Sequence, residues 1–349
     1  MIVPCYTETA VDDRYSRQIL FNGIGEEGQR KLLAARVLIV GCGALGSAHA
    51  EALARAGVGR IRLVDRDFIE PSNLQRQTMF TERDAEKRLP KAIAAANHLH
   101  EINSEIEVEP HVADVNYSNI EQLIEGCDVV VDGTDNFTTR YLINDACVKH
   151  ETNWVYGAAV GSYGVTMTIR PQQTSCLRCV FEEAPPVASA PTCDTAGVIM
   201  PIVSVVSAVQ VTETLKLLTG HIEDLHHSLM QFDVWRNEWR KISIGAPNPD
   251  CPSCGLGQYE TLEPTSVESA AVLCGRDAIQ ISPSQPTSIN FQSLAERLRS
   301  AGEVKFNEYL LRFKTGPFEL TVFQDARSIV RGTDQIATAR SLYAKYIGN

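Results

Sequence analysis

The chain has 349 residues, enough for one large domain and a smaller one, and its 44% hydrophobic and 21% charged residues are ordinary for a globular protein. A formal net charge of −11 with no basic face argues against nucleic acid as a partner, because phosphates need cations opposite them. A protein or small-molecule substrate is the default that remains.

The opening MIVPCYTETAVDD has neither the basic region nor the apolar stretch of a signal peptide, so a cytoplasmic protein is expected. Ten cysteines in that compartment point to metal binding or thiol chemistry rather than to disulfides. Residues Asp12 to Ala34 have helical character, with Tyr15, Ile19 and Leu20 followed by Leu32 and Leu33. The apolar run Val37-Leu38-Ile39-Val40 reads as a buried parallel strand. A Gly-rich loop, Gly41-Cys42-Gly43-Ala44-Leu45-Gly46, follows it, then a helix over Ser47–Ala56 and a second strand, Ile61–Val64, ending in Asp65. That order is a βαβ unit.

The alternation continues with a helix at Lys91–Ile102, a strand at Ile106–Val112, a helix at Ile120–Ile124, a strand at Val129–Val131 and a helix at Thr138–His150. It predicts a doubly wound, mostly parallel Rossmann-like sheet. From Trp154 to Arg170 the pattern changes around Gly157, Gly161 and Gly164, which predicts an antiparallel extension. Residues 182–193, EEAPPVASAPTC, lack periodicity and read as a mobile loop. A helix is expected from Gly197 to Leu218, capped by Gly220. Its apolar part, Val198 to Val209, is interrupted by Pro201 and runs into Gln210, Glu213 and Lys216, which suits a core helix and is too short for a membrane span. After a linker at 255–268 comes a small α+β module with a helix at Phe291–Ser300, hairpin strands at Leu310–Lys314 and Glu319–Phe323, and a closing helix at Gln335–Tyr346. The expected division is an N-terminal helical segment at 1–34, an ATP-binding domain with metal knuckles at 35–255 and the module at 268–349.

The GxGxxG loop stands between a strand and a helix, with Asp65 about twenty residues on, the spacing of a nucleotide fingerprint. Glycine permits close backbone approach, the helix N-terminus attracts phosphate, and the acidic side chain can accept ribose hydroxyls. The loop alone does not separate NAD from ATP. Basic and amide side chains near it, Arg17 in RYSRQ, Asn73, Arg76 and Gln77 in NLQRQ, and Lys91, favour a triphosphate that must shed pyrophosphate. Asp135, in DGTDN just after a buried strand, could hold Mg²⁺ against the phosphates, with a helix N-cap as its competing reading. Cys176-Leu177-Arg178-Cys179 and Cys251-Pro252-Ser253-Cys254 are two CxxC knuckles that together complete a closed, structural Zn²⁺ site. Cys193, with no CxxC partner, lies where the loop meets Gly197 and a helix N-terminus, a setting that lowers a thiol pKa. Cys5, Cys42, Cys127, Cys147 and Cys274 read as packing or incidental residues.

Taken together, RYSRQ, VLIVGCGALGS, LVDRDFIEPSNLQRQ, Lys91, DGTDNFTTR, the paired knuckles and CDTAGV closely resemble the ubiquitin-activating-enzyme-like adenylyltransferase family of MoeB, ThiF and HesA type, over roughly residues 12–255. The resemblance implies MgATP-dependent adenylation of the C-terminal glycine of a small ubiquitin-like sulfur-carrier protein of MoaD or ThiS type, ending in Gly-Gly, as a step in sulfur transfer for cofactor biosynthesis. By motif match it gives Gly43 and Asp65 to the nucleoside, and Asn73, Arg76, Gln77 and Lys91 to the phosphates. Gly41, Gly46 and Asp67 complete the nucleotide-binding set, and Asp135 takes Mg²⁺. Arg17 resembles an arginine contributed by a neighbouring subunit, which implies a homodimer. Cys193 matches a cysteine implicated in carrying or transferring the activated carrier, residues 182–192 match a loop crossing over its tail, and a sulfurtransferase or cysteine desulfurase is a further implied partner. Residues 268–349 depart from the minimal pattern and carry no sulfurtransferase-like active-site loop. Adenylation of a peptide C-terminus is the alternative within this chemistry, and an NAD-dependent oxidoreductase the alternative outside it.

Overall fold

Strand β1 (Arg36–Val40) is buried on both sides, which is why its sequence is an unbroken apolar run rather than an alternating one. Val37 and Ile39 face one layer of helices while Leu38 and Val40 face the other. The computed structural model describes residues 13–183, 193–264, 270–273, 278–283 and 288–348. The expected crossover loop at 184–192, Cys5, Cys274 and the side chain of Cys193 lie outside the described residues.

The chain divides into two compact units, Met1–Cys193 with Gly197–Pro264, and Asp194–Ala196 with Thr265–Asn349. In the first unit, helices α1 (Ser16–Ile19) and α2 (Gly25–Ala34) precede β1. Among the described residues this segment is helical as expected, with a turn between α1 and α2 that leads into Gly25 at φ +60°. After β1 come α3 (Ala44–Arg55), β2 (Arg60–Asp65), α4 (Glu82–Lys87), α5 (Lys91–Ile102), β3 (Glu107–Val112), α6 (Ile120–Ile124), β4 (Val129–Asp132) and α7 (Phe137–Lys149). Strands β5 (Asn153–Val160) and β6 (Tyr163–Ile169), the short helix α8 (Leu177–Val180), the short helix α9 (Cys193–Ala196), of which only Cys193 belongs to this unit, the long α10 (Met200–Thr219) and strands β7 (Ser228–Asp233) and β8 (Glu238–Ser243) follow. The eight strands run in the order β3-β2-β1-β4-β5-β6-β7-β8. Pairings are parallel from β3 to β5 and antiparallel from β5 to β8, the Rossmann-like sheet with the antiparallel extension that the sequence pattern predicts. Side chains of α2, α3, α5 and α10 share a core with one face, and those of α6, α7 and the CxxC knuckles share a core with the other.

Helix α10 begins at Met200 rather than Gly197, because Gly197 takes φ +72° and Pro201 fixes the first turn; it ends at Gly220 with φ +90°. At 20 residues it is longer than the apolar run suggests, and by length and composition alone it could cross a membrane. Its buried polar residues place it in the protein core instead. The Gln210 amide donates to the Asp132 and Val155 carbonyls, each at 3.1 Å, and Glu213 accepts from the Thr168 hydroxyl at 2.9 Å. Part of the expected linker is also structured, since Thr261 donates to the Asp145 carboxylate on α7 at 2.8 Å.

The second unit holds β9 (Ala270–Leu273), β10 (Ala278–Ile281), α11 (Phe291–Leu298), β11 (Glu303–Phe306), β12 (Leu310–Thr315), β13 (Phe318–Phe323), β14 (Ser328–Arg331) and α12 (Ile336–Tyr346). It is an all-antiparallel sheet in the order β11-β12-β13-β14-β10-β9, with α11 and α12 packed over Leu311, Phe313, Leu320, Val322 and Val330.

Candidate functional site

The chain leaves β1 and β4 side by side, at the point where the strand order reverses and open α/β sheets place their ligands. The Gly41 amide donates to the Val64 carbonyl at 2.8 Å, and the Gly133 amide to the Val40 carbonyl at 2.8 Å, so the two loops are pinned to neighbouring strands. Gly41, at φ +89°, has no room for a side chain: a Cβ there would stand 2.7 Å from the Gly133 carbonyl oxygen. Gly46 is tighter still, with its Cβ position 1.7 Å from the Gly41 oxygen. Gly43 differs from both. Its Cβ position meets nothing nearer than 3.9 Å, where Gln77 Nε2 and the Gly133 oxygen stand, and it caps α3 without a side-chain hydrogen bond. The protein's own packing does not demand glycine here. An open space at an uncapped helix N-terminus suits a phosphate-bearing ligand.

At the end of β2 the Asp65 carboxylate accepts from the Cys42 amide at 2.7 Å and the Asp67 amide at 2.6 Å, which orients it at the rim of the Gly loop. Burial pushes this carboxyl up, against the pull of Lys91 and the two amide bonds. Lys91, the first residue of α5, is buried, and its ammonium lies 3.2 Å from Asp67 Oδ2. Asn73 is buried and closes a capping box with Glu70 around the turn at 71–73. Its carbonyl accepts the Gln77 amide at 2.9 Å, while the half-buried Arg76 donates to the Ser72 carbonyl at 3.0 Å. Gln77 Oε1 is buried with no hydrogen-bond partner among the described residues, an orphaned acceptor beside the open Gly43 position.

Asp135 is exposed, and the side chain that caps α7 is Asn136, which accepts the Thr139 amide at 2.8 Å. The competing N-cap reading of Asp135 therefore falls to its neighbour. Two anchors that sequence reasoning missed shape this loop. Asp132 is fully buried, accepts from the Thr134 amide and hydroxyl, and pairs with Arg140 at 3.1 Å; Arg140 also donates to the Thr134 and Gly157 carbonyls. Burial raises the Asp132 carboxyl in spite of Arg140. Gln210 ties the Asp132 carbonyl to α3, its Nε2 donating to that carbonyl and its Oε1 accepting from His49 Nε2–H at 3.0 Å. An aspartate ending an apolar strand, with an arginine eight residues on in the first turn of the next helix, was the available signal for the first of these.

Cys176, Cys179, Cys251 and Cys254 bring four Sγ atoms within 4.8 Å of one another. Three of their separations are 3.8, 3.6 and 3.3 Å. A tetrahedral Zn²⁺ with bonds of about 2.3 Å has S···S edges of about 3.8 Å, so the thiols are placed to hold that ion with little movement. They lie on the sheet face covered by α7, not with the Gly loop's helix. Cys42 and Cys147 are fully buried with thiols pushed well up by desolvation, in keeping with packing roles. Arg17 is exposed on α1. Cys193 opens the four-residue α9, so Gly197 and the turn after it separate it from the start of α10, where it was expected.

Comparison with known proteins accords with this geometry. The ThiF family model matches residues 15–253. A Bacillus subtilis (strain 168) protein named sulfur carrier protein ThiS adenylyltransferase is 47% identical over 337 residues, which is 96% of this chain and 99% of that one. The SAMP-activating enzyme E1 of Haloferax volcanii is 41% identical over 261 residues, 74% of this chain and 95% of that one. Among solved structures, E. coli MccB with ATP superposes with a TM-score of 0.62 at 25% identity, covering 70% of this chain and 75% of that one. The Bacillus relative is matched along the second unit as well as the first.

Proposed function

This chain belongs to the ThiF family, and we propose that it uses MgATP to adenylate the C-terminal glycine carboxylate of a small ubiquitin-like sulfur-carrier protein. The observation that carries the reading is the open, uncapped Gly43 position facing the Gln77 amide, whose Oε1 is orphaned, together with the oriented Asp65 carboxylate at the Gly loop and the buried Lys91 ammonium on Asp67. Such a set offers hydrogen-bond acceptors to a ribose and amides and cations to phosphates.

The carrier carboxylate attacks the α-phosphorus of ATP, a new P–O bond forms, the bond to the bridging oxygen breaks and pyrophosphate leaves. No general base is required, because a C-terminal carboxylate is ionised near neutral pH. Catalysis then rests on positioning and charge. Gly41, Gly43 and Gly46 shape the cradle, and Asp65 holds the ribose. Asn73, Arg76, Gln77 and Lys91 receive the phosphates, and Asp67 orients Lys91. Asp135 would hold Mg²⁺, whose charge offsets that of the leaving pyrophosphate. Arg17 reaches the site of a second copy in a homodimer. The four thiols bind a structural Zn²⁺, since four thiolates leave no open coordination position. Cys193 acts after adenylation, in transfer of the activated carrier toward a sulfurtransferase or desulfurase.

Pyrophosphate exchange into ATP tests the reaction: it should require a carrier ending in Gly-Gly and leave an AMP adduct on that carrier. An AMP adduct on a short peptide and on no carrier protein would favour the alternative, adenylation of a peptide C-terminus. The Cys193→Ala variant should keep exchange and lose only the later transfer; loss of exchange itself would refute the division of labour.

A further inference from the structure

Asn144 sits on α7 and is fully buried, as is Ser253 inside the second CxxC knuckle. Asn144 Oδ1 accepts the backbone amide of Leu177, inside the first knuckle, at 2.8 Å. Its Nδ2 donates to the Ser253 hydroxyl at 3.1 Å and, more weakly, to Asp145 Oδ1 at 3.3 Å. One side chain therefore reaches both knuckles, using its acceptor on one and its donor on the other, while supplying no metal ligand. The sequence separates these knuckles widely, and each is locally a turn: the Cys179 amide donates to Cys176 and the Gly255 amide to Cys251, at 3.1 and 3.0 Å. Local turns orient two sulfurs each. They do not set the distance between pairs.

We propose that Asn144 is the positioning residue of the four-thiol centre, a clasp that fixes the two knuckles at the spacing a tetrahedral ion requires. The inference rests on the reading of the cluster as a Zn²⁺ site. The physical case is that an amide carries its donor and its acceptor on two separate atoms of one uncharged, planar group, so it can bond two different segments at once. A carboxylate at position 144 could accept from the Leu177 amide but has no hydrogen to donate to Ser253, and an alanine would leave the Leu177 amide and Ser253 hydroxyl to find other partners in the core. Groups of this kind, which orient metal ligands without touching the ion, typically change metal affinity by roughly 10–100-fold. The same helix meets the chain on either side of the knuckles: the Tyr141 hydroxyl donates to the Phe181 carbonyl at 2.7 Å, and Asp145 takes Thr261 at 2.8 Å. Those contacts hold flanking segments, whereas Asn144 alone of the three bonds within both knuckles.

The test is zinc release from the purified full-length protein into a colorimetric chelator, with metal content measured at the start. Asn144→Ala should release zinc roughly 10–100-fold faster than wild type, and Ser253→Ala, which removes one arm, should release it faster by a smaller factor. The double variant should release it no faster than Asn144→Ala, because both changes break the same clasp. If Asn144→Ala does not fold, Ser253→Ala carries the test. A folded Asn144→Ala that releases zinc at the wild-type rate overturns the proposal. So does a variant whose melting temperature drops equally with and without metal while release is unchanged, which marks a general packing role. Wild-type protein that holds no zinc refutes the metal reading itself, a different outcome from either.

Discussion

Lys91 is bound to Asp67 twice: its amide donates to the Asp67 carbonyl at 2.9 Å, and its ammonium stands 3.2 Å from the Asp67 carboxylate. A buried lysine at the first position of a helix is an unusual economy, since the helix N-terminus disfavours a cation. The Asp67 carboxylate, in contact with the ammonium, and Asp65, near enough to feel its charge, compensate. Lys91→Ala should therefore lower pyrophosphate exchange by roughly 10²–10³-fold while circular dichroism stays that of the wild type. Exchange within a few-fold of wild type would remove Lys91 from the site.

The glycines separate into two kinds. Gly46→Ala places a methyl 1.7 Å from the Gly41 oxygen, so it should lower the melting temperature markedly or prevent folding. Gly43→Ala has 3.9 Å of clearance, so it should melt like the wild type yet bind ATP more weakly. Calorimetric titration of ATP into the two proteins checks both. Wild-type ATP affinity in Gly43→Ala would mean that the open space holds something other than phosphate.

At the start of α7 two adjacent residues divide the work. Asn136→Ala removes the N-cap and should cost about 1 kcal/mol of stability in denaturant titration. Asp135→Ala caps nothing, so its stability should be unchanged while magnesium-dependent exchange is abolished. Full exchange in Asp135→Ala would refute its magnesium role.

His49 links the pH dependence of stability to the frame behind the site. Burial lowers its pKa to about 3, and its Nε2 stays at Gln210. The unfolded chain takes up this proton near the ordinary histidine value of about 6.5, whereas the folded chain does not. Stability is therefore undiminished above that pH and declines as pH falls from about 6.5 toward 3, roughly tenfold in the folding constant per pH unit for this one proton. His111 and His226 are lowered by burial too and add to the slope. His49→Gln should flatten the decline between pH 6.5 and 5 by about one proton, read from urea midpoints. An unchanged slope would mean that His49 is charged in the folded state.

Much of this molecule can be read from local pattern, because the responsible forces act over a few residues. Val37–Val40 is a strand buried on both faces, the glycines at 41, 43 and 46 follow it at fixed spacing, and each CxxC is a turn in its own right. Period, backbone freedom and short-range sulfur spacing need no knowledge of the fold. The docking of Thr261 on α7 needed the packed chain, since its partner Asp145 lies far away in sequence. The same holds for what surrounds the site. That Gly133 stacks on Gly41, that Asp132 is held by Arg140 and Gln210, and that one asparagine spans both knuckles are facts about residues distant in sequence. Buried polar groups must find partners wherever the fold puts them, and only the assembled sheet says which partners are within reach.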